Sequence, residues 1–141
     1  QLGELLRQLG EAASGREGIP VEVTLEGKGN LPPEVHIAMY RIAQEALNNV
    51  VKHARARHVT IHLQYTNEET SDFNRENDNG VRLSIKDDGR GFDVIQTPYH
   101  RLGLEIMRER AQAIGAKLSI DTRPDKGTLV NVIWSQGGIH E

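Results

Sequence analysis

The run Asp87-Asp88-Gly89-Arg90-Gly91-Phe92 places a carboxylate directly after an apolar strand pattern and follows it with two closely spaced glycines. Glycine has no side chain, so the backbone can turn sharply there and pass close to a flat ligand. The Asp87 carboxylate can accept a hydrogen bond from the amino group of a base such as adenine. An ordinary β-turn rich in Asp and Gly has the same composition, so the run alone leaves both interpretations open.

A second polar set lies on the longest helical pattern of the chain, residues 34–55. At about 100° per residue, Glu45, Asn49 and Lys52 share one side of that helix. The opposite side, predicted to pack on a sheet, holds Tyr40, Ala43, Leu47, Val50, Val51 and Ala54. A solvated helix face with an Arg41–Glu45 ion pair would show the same polar stripe, so this pattern is also open.

The elements that must position these residues follow from hydrophobic periodicity and turn residues. Strands are predicted at residues 21–25, 59–63, 81–85, 118–120 and 129–133, and helices at 2–13, 34–55 and 104–114. Residues 67–80 are predicted to be a long polar hairpin connection, 88–102 an irregular loop, and 124–127 a turn. This order predicts an α/β fold, a two-layer α/β sandwich in which helices cover one face of a mixed sheet.

Composition excludes several functional classes. The 141 residues fit one domain, and the absence of cysteine excludes disulfides, thiolate zinc sites and cysteine nucleophiles. With 17 basic and 20 acidic residues the net charge is −3, which gives no electrostatic footprint for nucleic acid. The apolar runs are far shorter than the about 20 residues of a membrane span. We expect a cytoplasmic fragment of a longer protein, which itself could be membrane-anchored.

Four segments, in this order, resemble the GHKL ATPases, which include the gyrase B subunit, MutL and sensor histidine kinases. Residues 45–54 (EALNNVVKHA) resemble the N box, 87–91 (DDGRG) the first glycine box, 102–111 (LGLEIMRERA) the second, and 126–128 (KGT) the closing Gly-Thr element. QEALNN and MRERA most resemble the nitrate-sensor, DesK-like and LiaS-like kinases. The resemblance covers roughly residues 19–134 and implies a Bergerat fold that binds Mg-ATP and transfers its γ-phosphoryl group to a histidine.

The resemblance implies roles on the phosphate side of the site. Asn49 would coordinate a Mg²⁺ ion that bridges the ATP phosphates, because an amide oxygen is a suitable ligand for a hard cation. Glu45 would be a general base or a second polar group near the metal-bound water. Lys52 and His53 would approach the phosphates as a point charge and a hydrogen-bond donor.

On the base side, the resemblance implies that Asp87 reads the adenine amino group and that the Thr128 hydroxyl supports it. Gly89 and Gly91 would allow the backbone to approach the ligand. Candidate walls for the base are Val50, Ile85 and Met107, each of which could instead be ordinary core.

The second glycine box departs from the family pattern, because it has one glycine where many sensor kinases have Gly-x-Gly. Gly103 would open a helix whose N-terminus favours phosphate, with Leu104 beside it. Residues 92–102 would form the ATP lid. Arg101 would supply charge in place of the missing backbone donors.

The histidine that accepts the phosphoryl group is expected outside this chain. Among the six histidines only His140 precedes an acidic residue, Glu141. Residues 1–18 would be the tail of a connecting helix and 19–141 the catalytic domain, with a dimerisation domain and a response regulator as partners. His58 and His62 share one side of a strand, but no third zinc ligand is evident nearby.

Two other functions remain open at this stage. The chain could hold ATP without turnover, as a switch or dimerisation module. It could also be a serine/threonine anti-sigma-factor kinase of the same fold, whose substrate is a hydroxyl group, although the MRERA segment favours the histidine kinase.

Overall fold

The computed structural model describes residues 1–54, 56–66, 80–89 and 98–136. Its helices are α1 (Leu2–Glu17), α2 (Pro33–Asn49), which continues as a π-helical turn over Val50–Ala54, and α3 (Pro98–Ala113). Its strands are β1 (Val21–Glu26), β2 (Val59–Thr66), β3 (Gly80–Asp87), β4 (Lys117–Arg123) and β5 (Gly127–Ser135). They form one sheet in the order β1-β2-β3-β5-β4, in which β1 is parallel to β2 and every other pairing is antiparallel.

One face of the sheet is buried and the other is polar. In β2, Val59, Ile61 and Leu63 are buried, and the residues between them are not. Their partners in β3 are also buried, so the apolar side chains form rows across the central strands. The three helices pack on this face and contribute to the same hydrophobic core. The predicted two-layer fold with a mixed sheet is therefore confirmed.

The N-terminal helix is longer than predicted. The sequence predicts a helix over residues 2–13 that is broken by Ser14-Gly15 and Gly18; α1 continues through Ser14-Gly15 to Glu17 and ends at Gly18, whose N–H donates to the Ser14 carbonyl at 2.9 Å. Leu2 and Leu6 lie in the core. Burial of this apolar side stabilises α1, so the helix continues through Gly15 although glycine has a low helix propensity. Among the described residues, no helix is both long and apolar enough to cross a bilayer.

The predicted buried side of α2 is only partly right. The buried apolar residues of α2 and the turn after it are Val35, Ala38, Met39, Ile42, Ala43, Ala46, Leu47 and Val50. The predicted stripe omitted Ala38, Met39, Ile42 and Ala46, because α2 packs against α1, α3 and the sheet and is buried over a wide arc. Asn49, one turn after Ala46, therefore lies at the edge of the buried side and is half-buried, not on the opposite side.

The last helix begins earlier than predicted. α3 starts at Pro98, a residue suited to the first helical turn, where its missing N–H leaves no hydrogen bond unmade. Residues 98–102, predicted to belong to an irregular lid, are therefore helical. Gly103 lies in the second turn of α3 and not at its N-terminus, so that part of the prediction is wrong. Lid residues 92–97 and the predicted connection 67–79 lie outside the described residues.

The turn before β5 packs closely on the end of β3. Gly127 has a positive φ of 81°, and a Cβ atom added there would overlap the Asp87 carbonyl oxygen and lie 3.2 Å from the Asp88 Cα. A glycine is therefore required for two separate reasons, backbone conformation and space. This contact holds the start of β5 against the segment that carries the Asp87 carboxylate.

We expect Gly127→Ala to lower the free energy of unfolding by more than the about 1–2 kcal/mol that a left-handed backbone costs, because the methyl group also overlaps the β3 backbone. Gly15→Ala is the matched control: it lies inside α1 with no atom within 4 Å of the added Cβ. That variant should gain up to about 1 kcal/mol from helix propensity. Urea unfolding of both variants measures the difference, and equal stability would contradict this description of the turn.

Candidate functional site

A small cavity lies between α2, α3 and the end of the sheet. Its walls are Ala46, Asn49, Val50, Ile85, Asp87, Met107, Thr128 and Val130. The cavity of about 20 Å³ has room for about one water molecule. The structure thus brings Asn49, Asp87 and Thr128, which are far apart in the sequence, to one place together with the three predicted apolar walls.

Asp87 is the buried charged group of this cavity. It ends β3 directly opposite Thr128 of β5, and only 4% of its surface is exposed. One carboxylate oxygen accepts the N–H of Gly89 at 2.8 Å. Burial raises the pKa of Asp87 and the neighbouring Asp88 charge adds to this, against hydrogen bonds from the backbone N–H groups of Gly89 and Thr128. The carboxylate is held in place but retains capacity for another donor.

Asp88 makes a different set of contacts, although it is the next residue. Its Oδ1 atom accepts the backbone N–H groups of Arg57 and His58, each at 2.9 Å. Slight burial acts to raise the pKa of Asp88, but hydrogen bonds from the N–H groups of His58 and Arg57 and from its own N–H, together with the nearby His58 side chain, lower the pKa overall. The two adjacent carboxylates are therefore perturbed in opposite directions, one facing the cavity and one facing the chain before β2.

Thr128 has a partner that the sequence interpretation missed. The Thr122 hydroxyl of β4 lies 2.9 Å from the Thr128 hydroxyl, and Thr122 pairs with Thr128 in the register of the two strands. The turn at residues 124–126 would have indicated this pairing, because the residues that flank a hairpin symmetrically face one another. Ala46 and Val130 were also missed, and each follows from spacing: one helical turn from Asn49 and two strand positions from Thr128.

The phosphate-side candidates of α2 face α3 at one glycine. A Cβ added to Gly103 would lie 3.1 Å from both the Asn49 Nδ2 and the Glu45 Oε1 atoms, and 3.2 Å from the Asn49 Oδ1 atom. A glycine at this position lets α3 lie directly on the polar stripe of α2. The amide of Asn49 and the carboxylate of Glu45 are consequently close together and half-buried.

The remaining predicted residues are not all gathered at the cavity. Leu104 is 1% exposed and belongs to the hydrophobic core, and it does not line the cavity. Lys52 lies exposed in the π-helical turn, while Glu45 also lines a groove of about 310 Å³ between α1 and α2. The side chains of His53 and Arg101, and all of Gly91, lie outside the described part of the chain, as does His140.

The two histidines of β2 and its approach each face a glutamate of β1. His58 Nε2 lies 3.7 Å from Glu22 Oε2, and His62 Nε2 lies 3.5 Å from Glu26 Oε2. Within residues 1–54, 56–66, 80–89 and 98–136, no three histidine or acidic side chains gather as a metal-binding group. Amide oxygens such as that of Asn49 are a separate class of ligand.

Curated sequences similar to this chain are sensor kinases. The chain is 38% identical over 114 residues to the signal transduction histidine-protein kinase/phosphatase DegS of Brevibacillus brevis, covering 80% of this chain and 27% of DegS. It is 34% identical over 132 residues to the sensor protein VraS of Staphylococcus saprophyticus, covering 93% of this chain and 34% of VraS. The chain spans between 19% and 34% of the length of such relatives.

Solved structures share the fold. The histidine kinase domain of the blue-light activated kinase of Erythrobacter litoralis EL346 superposes with a TM-score of 0.69 at 22% identity, over 96% of this chain and 61% of the other. The Acinetobacter baumannii histidine kinase AdeS gives a TM-score of 0.70 at 14% identity, over 97% and 64%.

A known protein family matches most of the chain. Residues 34–137 match the family described as histidine kinase-, DNA gyrase B- and HSP90-like ATPase. The matched region begins at the first turn of α2 and contains every residue that lines the small cavity. The chain therefore belongs to the histidine kinase-, DNA gyrase B- and HSP90-like ATPase family, whose domain binds ATP.

Proposed function

We propose that the chain is the ATP-binding catalytic domain of a sensor histidine kinase, which binds Mg-ATP and transfers its γ-phosphoryl group to a histidine on a separate dimerisation domain. One observation carries the proposal: the buried Asp87 and Thr128 and the half-buried Asn49 line a single cavity with apolar walls. The similarity to DegS and VraS, both named as signalling proteins, supports the choice of kinase.

The residues on the base side match the chemistry of an adenine. Asp87 presents a fixed carboxylate to an apolar cavity, and such an acceptor favours the adenine amino group over a carbonyl oxygen, which cannot donate a hydrogen bond. Thr128, with its hydroxyl bonded to Thr122, is positioned to support the base directly or through a water molecule. Ile85 and Met107 would contact the faces of the ring, because both line the cavity from opposite elements.

The phosphate side fits a hard cation and its anionic ligand. The Asn49 amide and the Glu45 carboxylate lie next to the same point of α3, and oxygen atoms of these types suit Mg²⁺, which usually takes few protein ligands beside phosphates and water. Bound there, Mg²⁺ would neutralise charge on the phosphates. In this proposal Asn49 would hold the ion, Glu45 would orient a water or take a proton, and Lys52 and His53 would approach the phosphates.

The partners belong to the proposal as well. The acceptor histidine would lie on a dimerisation domain of the same protein, and a response regulator would receive the phosphoryl group next. Residues 1–18 would connect to the dimerisation domain through α1, whose Leu2 and Leu6 are part of the core. A movement of this connection would therefore displace side chains in the core of the catalytic domain. A cytoplasmic location, where ATP is available, completes the proposal.

Asn49→Ala is expected to reduce the rate of phosphoryl transfer by more than about tenfold, which corresponds to about 1.4 kcal/mol in the activation barrier. The reason is that the Mg²⁺ ion would lose its protein ligand. The assay combines the domain, a phosphoacceptor helix pair and γ-labelled ATP, and follows label on histidine. Asn48→Ala is the matched control for Asn49→Ala, because Asn48 is the adjacent residue of the same type, is exposed and lines the α1–α2 groove instead.

Equal loss of label in both asparagine variants would contradict the assigned role of Asn49. Binding of ATP without transfer to any histidine would replace the enzyme by the switch module, and label on serine or threonine of a partner would indicate the anti-sigma-factor type of kinase.

Gly103→Ala should separate nucleotide binding from stability. The methyl group would lie 3.1 Å from Asn49 and Glu45 side-chain atoms, which can yield by rotating away, so the free energy of unfolding should change by less than about 1 kcal/mol. The same rotation displaces the predicted ligand of Mg²⁺, so affinity for Mg-ADP should fall by about tenfold. Calorimetry and urea unfolding measure the two effects, and unchanged affinity would contradict the assigned phosphate side.

Asp87 should have a higher pKa than the adjacent Asp88. Because burial raises the pKa of Asp87 while backbone donors lower that of Asp88, carbon NMR of the ligand-free domain should give Asp87 the higher midpoint. Bound ADP should then lower the Asp87 midpoint, since the adenine amino group donates to the ionised form. A reversed order, or an Asp87 midpoint unaffected by saturating ADP, would show that this carboxylate does not read the base.

A further inference from the structure

The segment just before β2 is held by Asp88, which lies thirty residues away in sequence. Asp88 Oδ1 accepts the N–H groups of Arg57 and His58 at 2.9 Å each, and the Asp88 N–H donates to the His58 carbonyl at 3.3 Å. The backbone bond continues the β2–β3 pairing one step beyond its last pair, Val59 and Asp87, and the two side-chain bonds reinforce it. The carboxylate thus acts as a clamp on a backbone segment outside the regular sheet.

The clamp joins the two halves of the nucleotide site. Arg57 and His58 follow closely on the π-helical turn Val50–Ala54, which continues the helix of Asn49 and carries Lys52. Asp88 directly follows Asp87, whose carboxylate points into the cavity. A shift of residues 57 and 58 away from the β3 end would therefore move the end of the phosphate-side helix relative to the base-side carboxylate.

The Arg57 and His58 N–H groups do not need the Asp88 carboxylate as an acceptor. Arg57 and His58 are both exposed, so without Asp88 their N–H groups would bond to water at little cost. A charged acceptor shared by two N–H groups is stronger and more directional than water, so its main effect is on position. The lowered pKa of Asp88 agrees with a carboxylate that is stabilised by these donors.

We propose that Asp88 is a positioning residue that fixes the exit of the phosphate-side helix against the base-reading Asp87, and thereby sets the separation of the two halves of the site. The inference rests on the proposed nucleotide site. Asp88 itself touches neither half of the ligand in this assignment; it acts through the backbone of residues 57 and 58.

The test uses the full chain and compares the parent with Asp88→Ala, Asp88→Asn and Asp88→Glu. The Asn side chain keeps an acceptor in the same place, whereas Glu keeps the charge but moves it by one methylene group. Asp121→Ala is the control, because Asp121 is an exposed aspartate of β4 whose partner is Arg123. Affinity for ADP with MgCl₂ is measured by calorimetry, and amide hydrogen exchange is measured at Arg57 and His58.

We expect Asp88→Ala and Asp88→Glu to weaken ADP binding by about tenfold and to accelerate exchange at both amides. Asp88→Asn and Asp121→Ala should bind within about threefold of the parent and keep the protection. Should the Ala variant not fold, the Glu variant carries the comparison.

Two results would overturn the inference while the nucleotide site stands: parent-like ADP affinity in Asp88→Ala or Asp88→Glu despite faster exchange, or an Asp88→Asn variant as weak as Asp88→Ala. A parent chain that binds no ADP would instead overturn the proposed function, and the role of Asp88 with it.

Discussion

The buried carboxylate of Asp87 is the constraint on which the rest of the site depends. A charged group at the end of a central strand is costly to bury unless N–H donors surround it. The structure supplies them from the Gly89 turn and from Thr128, and the close contact of Gly127 with the Asp87 backbone keeps those donors in place. Gly89 and Gly127 therefore hold the Asp87 carboxylate in place even when no ligand is bound.

The polar stripe of α2 depends on a second close contact, with α3. Gly103 allows α3 to lie on Asn49 and Glu45, and Met107 of the same helix forms a wall of the cavity. One helix thus covers both halves of the proposed nucleotide site. The cavity between these helices has a volume of about 20 Å³, so a bound base would have to displace side chains that now line it.

Much of the fold was predictable because its strands alternate strictly and the four motif segments keep their order. The buried side of α2 was not predictable, because hydrophobic periodicity cannot show that three elements pack on one helix. Asn49 was therefore assigned to a solvent-exposed face, whereas it lies at the edge of the cavity. The start of α3 at Pro98 had a local signal that the loop prediction passed over, because proline suits the first turn of a helix. Thr122 follows from hairpin register, whereas the bonds from Asp88 to residues 57 and 58 are tertiary and leave no local pattern.

Chemical-shift mapping shows which residues a bound nucleotide contacts. Isotope-labelled chain is titrated with ADP, first without and then with Mg²⁺. The Gly89 and Thr128 amides should shift with ADP alone, and the Asn49 side-chain amide should shift further when Mg²⁺ is added, while that of Asn48 stays unchanged. Shifts confined to the α1–α2 groove, at Arg16, Gln44 and Asn48, would place the nucleotide elsewhere and contradict the proposed site.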